Sequence, residues 1–135
     1  MEKLDKKCYT IYSKQKDRRE RMSNTIKNIL EEYVNGLLKM IGKNLKQVIL
    51  YGSYARGEQD ENGETSDIDI MILVDLEEDK IKELQNKVID YSYDLDLEYD
   101  ILLSPIIENI ENYNNRKGYM TFYKNIEKEG VLLNG

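Results

Sequence analysis

The stretch GSYARG (residues 52–57), followed by SDIDIMI (residues 66–72), decides how this chain folds. The second segment alternates acidic and apolar residues, which is the period of a β-strand. Asp67 and Asp69 should therefore point to one face, with Cα atoms roughly 6–7 Å apart at a rise of ~3.3 Å per residue. Two ionised carboxylates this close repel each other. A divalent cation would neutralise them, and Mg²⁺ is usually held by one or two carboxylates together with substrate phosphates.

The Gly-Ser pair before this strand has the character of a phosphate-binding turn. Gly52 lets the backbone turn sharply and approach a phosphate, and Ser53 offers a hydroxyl and a backbone N–H. If a helix begins at Tyr54, its free N–H groups favour an anion. A Gly-Ser pair alone is more often a plain turn, so this interpretation depends on the two aspartates that follow.

Two more residues of these segments are candidates for nucleotide binding. Arg56 can neutralise phosphate charge because a guanidinium fork matches phosphate oxygens, and the alternative is a salt bridge to Glu58 or another loop carboxylate. Ser66 either caps the turn before the strand or hydrogen-bonds a metal-held water. Together with Gly52 and Ser53, they form the predicted nucleotide-binding set.

The composition excludes several classes of function. The 135 residues suit one domain with a single core, and the chain has no histidine, which removes His-based metal sites and Ser-His triads. A net charge of −6 argues against extended nucleic-acid binding, which needs a basic surface. The N-terminus lacks the apolar core of a signal peptide, and no apolar run approaches the ~20 residues of a membrane span. We therefore expect a cytoplasmic protein.

The pattern along the chain predicts a charged N-terminal extension over residues 1–21 and a catalytic domain over residues 22–135. The extension is expected to be a solvated helix, with a basic arm for a partner or RNA as the alternative. The predicted elements of the domain, in chain order, are a helix over Met22–Ile41, a strand over Gln47–Tyr51, a polar loop over Gln59–Ser66, a strand over Ile68–Val74, a helix after Asp75–Asp79, a strand over Asp94–Leu103, and helices over 105–115 and 119–129.

From about Val48 to the C-terminus, the sequence resembles the DNA-polymerase-β-like nucleotidyltransferase superfamily, and most of all its minimal nucleotidyltransferase (MNT) branch. The resemblance is carried by the Gly-Ser…Asp-x-Asp element and, less specifically, by the tail FYKNIEKEGV (residues 122–131). It implies an α/β fold in which a small mixed β-sheet is flanked by helices. It also implies ATP as the substrate, Mg²⁺ as the cofactor, and frequent pairing of such domains with HEPN-type toxins.

The resemblance further implies a third carboxylate on the strand after the Asp pair, where it shares a metal and can act as general base. In the predicted strand over 94–103, Asp96, Glu98 and Asp100 share a face. Asp100 is chosen because it stands beside an apolar run and would lie deepest in the sheet, and Glu98 is the second choice. The predicted catalytic residues, which are also the predicted metal ligands, are Asp67, Asp69 and Asp100.

Three hypotheses for the function follow. The first is a Mg²⁺-dependent enzyme that moves AMP from ATP to a hydroxyl, on a HEPN-type toxin that it silences as an antitoxin. The second is a nucleotidyltransferase for a small aminoglycoside-like cation. The third is a catalytically idle module that neutralises a toxin by binding. Because one such domain leaves its acceptor side open, a second copy or a partner protein is expected to complete it.

Overall fold

The computed structural model describes residues 22–56 and 67–135. Its elements are α1 (Asn24–Ile41), a 3-10 helix (Gly42–Asn44), β1 (Leu45–Tyr51), α2 (Ser53–Arg56), β2 (Ile68–Val74), α3 (Glu78–Tyr99), β3 (Leu103–Asn109), α4 (Ile110–Arg116), α5 (Thr121–Glu129) and β4 (Val131–Asn134). The predicted extension over residues 1–21 lies outside the described residues, as does the loop that contains Gly57 and Ser66. The predicted α/β fold, with a small mixed sheet flanked by helices, is confirmed.

The four strands form one sheet in the order β3-β2-β1-β4. β1 pairs antiparallel with both β2 and β4, whereas β2 and β3 are parallel. A parallel pair needs a long crossover connection, and α3 provides it. The antiparallel pairing of β1 with β2 brings the end of β1 to the start of β2, where Tyr51 lies opposite Asp69. The Gly-Ser turn and the Asp pair therefore meet at one end of the sheet.

β2 separates two cores through its alternating side chains. The first core contains α1, α3 and one face of the sheet, and it includes the β2 residues Ile68, Ile70, Ile72 and Val74. The second core lies on the opposite face, where Met71 and Leu73 pack with residues of α4 and α5. The predicted alternation of β2 is confirmed, and so is the placement of the helix after Met22 on the face that lacks the aspartates.

The ends of α1 are set by local chemistry. Ser23 precedes the helix, and its hydroxyl accepts a hydrogen bond from the Ile26 N–H at 3.2 Å. Gly42 ends the helix with a positive φ of 70°, and its N–H is donated to the Leu38 carbonyl. α1 therefore ends at Ile41 as predicted and begins at Asn24, two residues after the predicted start at Met22.

The predicted strand over Asp94–Leu103 is wrong, because α3 continues to Tyr99. An apparent two-residue alternation misled the prediction: Leu95 is buried on the helix at 3% exposure, whereas Leu97 is 69% exposed. The residues that face the core, Val88, Ser92, Leu95 and Tyr99, recur with the period of a helix. Asp96, Glu98 and Asp100 therefore do not share a strand face.

The prediction of a helix over residues 105–115 is wrong for its first part, because residues 105–109 belong to β3. Ser104 and Pro105 are strand residues rather than a helix cap and first helical residue. A proline is tolerated here because β3 is an edge strand, where a missing N–H breaks no central ladder. The sheet also contains β4, so it has four strands where three were predicted.

Candidate active site

The Gly-Ser turn contacts the aspartate of the neighbouring strand directly. Gly52 has a positive φ of 78°. A Cβ built at Gly52 would lie 2.3 Å from the Asp69 Oδ2 atom, a distance that real Cβ contacts do not reach. Only glycine therefore satisfies both the backbone conformation and the close approach of the carboxylate. This contact ties the turn and the Asp pair into one site.

Asp69 lies on the face of β2 that α1 and α3 do not cover, and Asp67 comes just before the strand. Asp67 is exposed, and Asp69 is half-buried. Burial raises the pKa of the Asp69 carboxyl above its ordinary value; the negative charge of Asp67 raises it further, and Arg56 opposes both. A cation bound beside Asp69 would favour its ionised form and so stabilise the site.

The donor set suits a hard cation that also binds substrate phosphates. Within residues 22–56 and 67–135, no group of three or more Asp, Glu, Cys or His side chains is placed to hold a metal ion. Two carboxylates are the protein contribution that Mg²⁺ usually receives when phosphates complete its coordination. Asp67 and Asp69 therefore fit Mg²⁺ bound together with a nucleotide, and they do not form a closed protein-only site.

The position beside Asp69 on β3 is occupied by Ser104. The parallel register pairs Asp69 with Ser104 and Met71 with Ile106. The single carboxylate of β3, Glu108, pairs with Leu73 near the other end of the strand. No carboxylate of β3 therefore adjoins the Asp pair. Ser104 was not predicted as a site residue because the predicted strand over Asp94–Leu103 ended before it.

Asp100 occupies a different setting from the one that motivated its choice. It ends α3 in the left-handed conformation, with φ 53° and ψ 52°, and its side chain is exposed. It is nevertheless close in the chain to Leu102, whose carbonyl accepts a hydrogen bond from the Ile68 N–H at 2.8 Å. Asp100 thus lies at the same end of the sheet as Asp67, and its role stays a prediction. Glu98 lies on α3.

The remaining members of the predicted binding set occupy the turn and the short helix α2. Ser53 is half-buried at the first position of α2, which has only four residues. One helical turn carries little macrodipole, so phosphate binding would depend on the Ser53 hydroxyl and local N–H groups. Arg56 forms a salt bridge to Glu129 of α5 at 3.1 Å. The alternative weighed for Arg56, an ion pair, is thus present, with a helical carboxylate as its partner.

Tyr51 is a site residue that was not predicted from the sequence. It lies opposite Asp69 on β1, and its ring packs edge-on against Phe122 with 5.7 Å between ring centroids. Burial raises the pKa of Tyr51 to about 12, with a further contribution from the charge of Asp69. The phenol therefore stays neutral at physiological pH. Its position directly before Gly52 was the available signal, but the register that pairs it with Asp69 could not be predicted.

Comparison with known proteins assigns this arrangement to a family. The sequence model of the nucleotidyltransferase domain matches residues 24–133. The chain belongs to the nucleotidyltransferase domain family. The match includes the Gly-Ser turn, both aspartates and β1 to β3, so it spans the whole site described above. The predicted superfamily and the predicted enzyme class, a nucleotidyltransferase, are confirmed.

Two relatives from Methanocaldococcus jannaschii are named as candidate protein adenylyltransferases. One is 34% identical over 104 residues, which are 77% of this chain and 93% of the relative. The other is 40% identical over 95 residues, which are 63% of this chain and 91% of the relative. A crystal structure of a toxin–antitoxin with AMP-PNP is also similar, with a TM-score of 0.43 and 23% identity over 78% of this chain and 73% of that one.

Among residues 22–56 and 67–135, none of the helices combines the length and the apolar character that crossing a bilayer requires. The cytoplasmic location stays a prediction.

Proposed function

We propose that this nucleotidyltransferase transfers AMP from ATP to a hydroxyl group on a protein, with Mg²⁺ held by Asp67 and Asp69. The observation that carries the proposal is the close approach of Gly52 to Asp69, which brings the Gly-Ser turn against the acidic pair. The names of the two archaeal relatives support a protein as the acceptor.

In the proposed reaction, the acceptor oxygen forms a bond to the α-phosphorus of ATP. The bond from that phosphorus to the pyrophosphate oxygen breaks, and the acceptor proton passes to a base. Mg²⁺, when bound, would neutralise phosphate charge and make the α-phosphorus more electrophilic. Ser53 would donate its hydroxyl hydrogen to a phosphate oxygen. Glu129 holds the Arg56 guanidinium beside the site, where its charge also acts on Asp69.

Asp100 is the proposed general base and third metal ligand. It is exposed and follows the last residue of α3, at the sheet end where Ile68 N–H donates to the Leu102 carbonyl. A base at this position could approach an acceptor that enters from solvent. Asp100→Asn should lower the transfer rate by roughly 10²- to 10⁴-fold without weakening ATP binding comparably, since general base catalysis contributes that much. An unchanged rate would remove Asp100 from the mechanism.

The surface of α3 supports a basic protein as the acceptor. Ile89, Tyr93 and Leu97 recur at four-residue spacing and are 55%, 60% and 69% exposed. Residues 89–102 contain five Asp or Glu residues and no Lys or Arg. The acidic residues lie at the C-terminal end of α3, which is also the negative end of the helix macrodipole. Acidic residues there do not stabilise the helix itself, but they favour the binding of a cationic partner. An apolar stripe with an acidic rim fits a basic partner that has its own apolar residues.

We further propose that this partner is a HEPN-type toxin whose tyrosine hydroxyl receives AMP, as the MNT resemblance implies. The role of the acidic residues of α3 can be tested with the double variant Asp94→Lys/Glu98→Lys. It should slow association with the partner by roughly 10-fold at low salt. Asp75→Lys/Glu77→Lys is the matched control with the same change in net charge, because both residues are exposed but follow the opposite end of β2. Equal slowing in both variants would point to net charge alone rather than to the α3 surface.

A second candidate is a module that neutralises a toxin by binding, without catalysis. The observation that favours it is Ser104, which occupies the β3 position beside Asp69 where a third carboxylate would complete a metal site. A serine at this position instead of a carboxylate would not prevent the protein from binding a partner.

The test is incubation of the full chain with α-labelled ATP and Mg²⁺, alone and with the protein encoded by the adjacent gene. We expect label on the partner, an added AMP in its mass spectrum, and neither with Asp67→Asn. Asp75→Asn should retain transfer. If Asp67→Asn still neutralises an unmodified partner, the binding module is correct. If an aminoglycoside is labelled instead of a protein, the small-molecule alternative is correct.

A further inference from the structure

Phe122 exposes an aromatic ring beside the carboxylate site. It lies on the first turn of α5 and is 46% exposed, although the next residue, Tyr123, is buried. Leaving half of such a ring in water forgoes part of the free energy that its burial would contribute. α5 already buries Tyr123 and Ile126 against the second core. Phe122 is therefore not part of that core, and its exposed surface is available to a ligand.

The orientation of Phe122 is fixed by two neighbouring rings. Its centroid lies 5.7 Å from that of Tyr51 at an interplanar angle of 87°, and 5.5 Å from that of Tyr123 at 71°. Edge-to-face contacts of this kind are favourable and hold a ring in one plane. Because both neighbours contact Phe122 in edge-to-face geometry, the ring is supported from the protein side while nearly half of it stays in solvent.

The position of Phe122 relative to the acidic pair suits one part of a nucleotide. Tyr51 lies opposite Asp69 in the β1–β2 pair, on the same face of the sheet, and the Phe122 ring packs against the Tyr51 ring. A ligand whose phosphates lie at Ser53, Asp67 and Asp69 would project its sugar and base away from them. The Tyr51 side chain thus links the Phe122 ring to Asp69, and Phe122 is 46% exposed.

We infer that Phe122, supported by Tyr51, is the surface on which the purine ring of the nucleotide stacks. The inference rests on the proposed function and deepens it, because it assigns the base-binding part of the site. Stacking depends on the face of the base rather than on its edge, so it favours the larger purine rings over pyrimidines. Phe122 is thus a positioning residue that orients the nucleoside while the acidic pair and the turn hold the phosphates.

The test compares ATP with tripolyphosphate, which has the phosphates and lacks the base. Equilibrium binding of each ligand is measured with Mg²⁺ on the full chain. Phe122→Ala should weaken ATP binding by roughly 5- to 150-fold, the range that loss of one aromatic stack produces, and should leave tripolyphosphate binding unchanged. Phe122→Tyr should bind ATP about as tightly as the wild-type chain, because it keeps the aromatic ring.

Tyr119→Ala is the matched control. Tyr119 is 69% exposed and precedes α5, but within the described residues it has no ring contact with Tyr51. It should leave the affinity for both ligands unchanged. If Phe122→Ala weakens both ligands equally, or weakens neither, the stacking surface is wrong while the proposed function stands. If the wild-type chain binds tripolyphosphate but not ATP, both the stacking surface and the proposed function are wrong.

Discussion

The two faces of β2 differ in what they contribute to the molecule. Ile68, Ile70, Ile72 and Val74 are all fully buried beneath α1 and α3. The opposite face is divided: Met71 and Leu73 are fully buried near one end, whereas Asp69 near the other end is half-buried and Asp67, just before the strand, is exposed. One strand of seven residues thus anchors the fold with one face and carries Asp69 on the other.

Magnitudes explain why the strand tolerates an acidic pair. Burial of four Val or Ile side chains contributes about 6–12 kcal/mol as an upper estimate, at ~1.5–3 kcal/mol each. Repulsion between two carboxylates, one exposed and one half-buried, costs on the order of 1 kcal/mol. The covered face therefore fixes the register of β2, and the open end can carry charges that add nothing to stability.

The strongest way to break this comparison is Asp69→Asn. Loss of a metal ligand should reduce AMP transfer by roughly 10²- to 10⁴-fold, because metal stabilisation of the transition state is worth several kcal/mol. The same change should raise the free energy of unfolding without metal by about 1 kcal/mol, since it removes the repulsion from Asp67. Transfer assays and urea unfolding measure the two effects. A large loss of stability would mean that Asp69 is structural.

The covered face should behave in the opposite way. Ile70→Ala removes a fully buried side chain from the first core and should lower the free energy of unfolding by about 2–5 kcal/mol. Transfer per folded molecule should change little at a temperature where the variant stays folded. Urea unfolding and activity normalised to the folded fraction measure this. If Ile70→Ala abolished transfer in a fully folded protein, the division of labour between the faces would be wrong.

The same division explains which parts of the structure could be predicted from the sequence. The bounds of β2 were predicted correctly because its alternation, the Gly-Ser turn and the polar loop before it all agree locally. The end of α1 at Ile41 was predicted because Gly42, which ends the helix, acts within one helical turn, whereas the cap at Ser23 was not predicted. The joining of the Gly-Ser turn to the Asp pair also followed, since two adjacent strands and one connection leave few alternatives.

The third strand failed because two periods competed over residues 94–103. Leu95 and Leu97 fit a strand, yet Leu95 also continues a helical series from Val88 and Ser92, and tertiary packing selected the helix. Pro105 within the apolar run that follows was a usable signal of an edge strand. The neighbours of Asp69, by contrast, depend on the register between strands that are distant in sequence, and no local pattern fixes it. Tyr51 and Ser104 could therefore be found only in the structure.

Gly52→Ala tests the contact that joins the two segments of the site. An alanine there must adopt a φ of 78° and place its Cβ 2.3 Å from the Asp69 Oδ2 atom, so the carboxylate must move. We expect a loss of about 1–3 kcal/mol in stability and a large loss of transfer. Gly42→Ala is the matched control, because Gly42 has a φ of 70° but nothing within 4 Å of a built Cβ. It should lose similar stability and keep its activity.

Ser104→Asp sharpens the comparison with the smallest expected effect, because it extends the acidic end of the open face onto β3. Without metal, the new carboxylate beside Asp69 should lower the free energy of unfolding by about 1 kcal/mol through repulsion. With Mg²⁺ or Mn²⁺, a third oxygen ligand should raise metal affinity and reverse the loss. Thermal unfolding with and without each ion measures both signs. Ile106→Asp is the control on the same face of β3, since Ile106 lies two residues farther along and pairs with Met71. If metal rescued both variants equally, the cation would not be held at Asp69, and the open end of β2 would carry its acidic pair for some purpose other than metal binding.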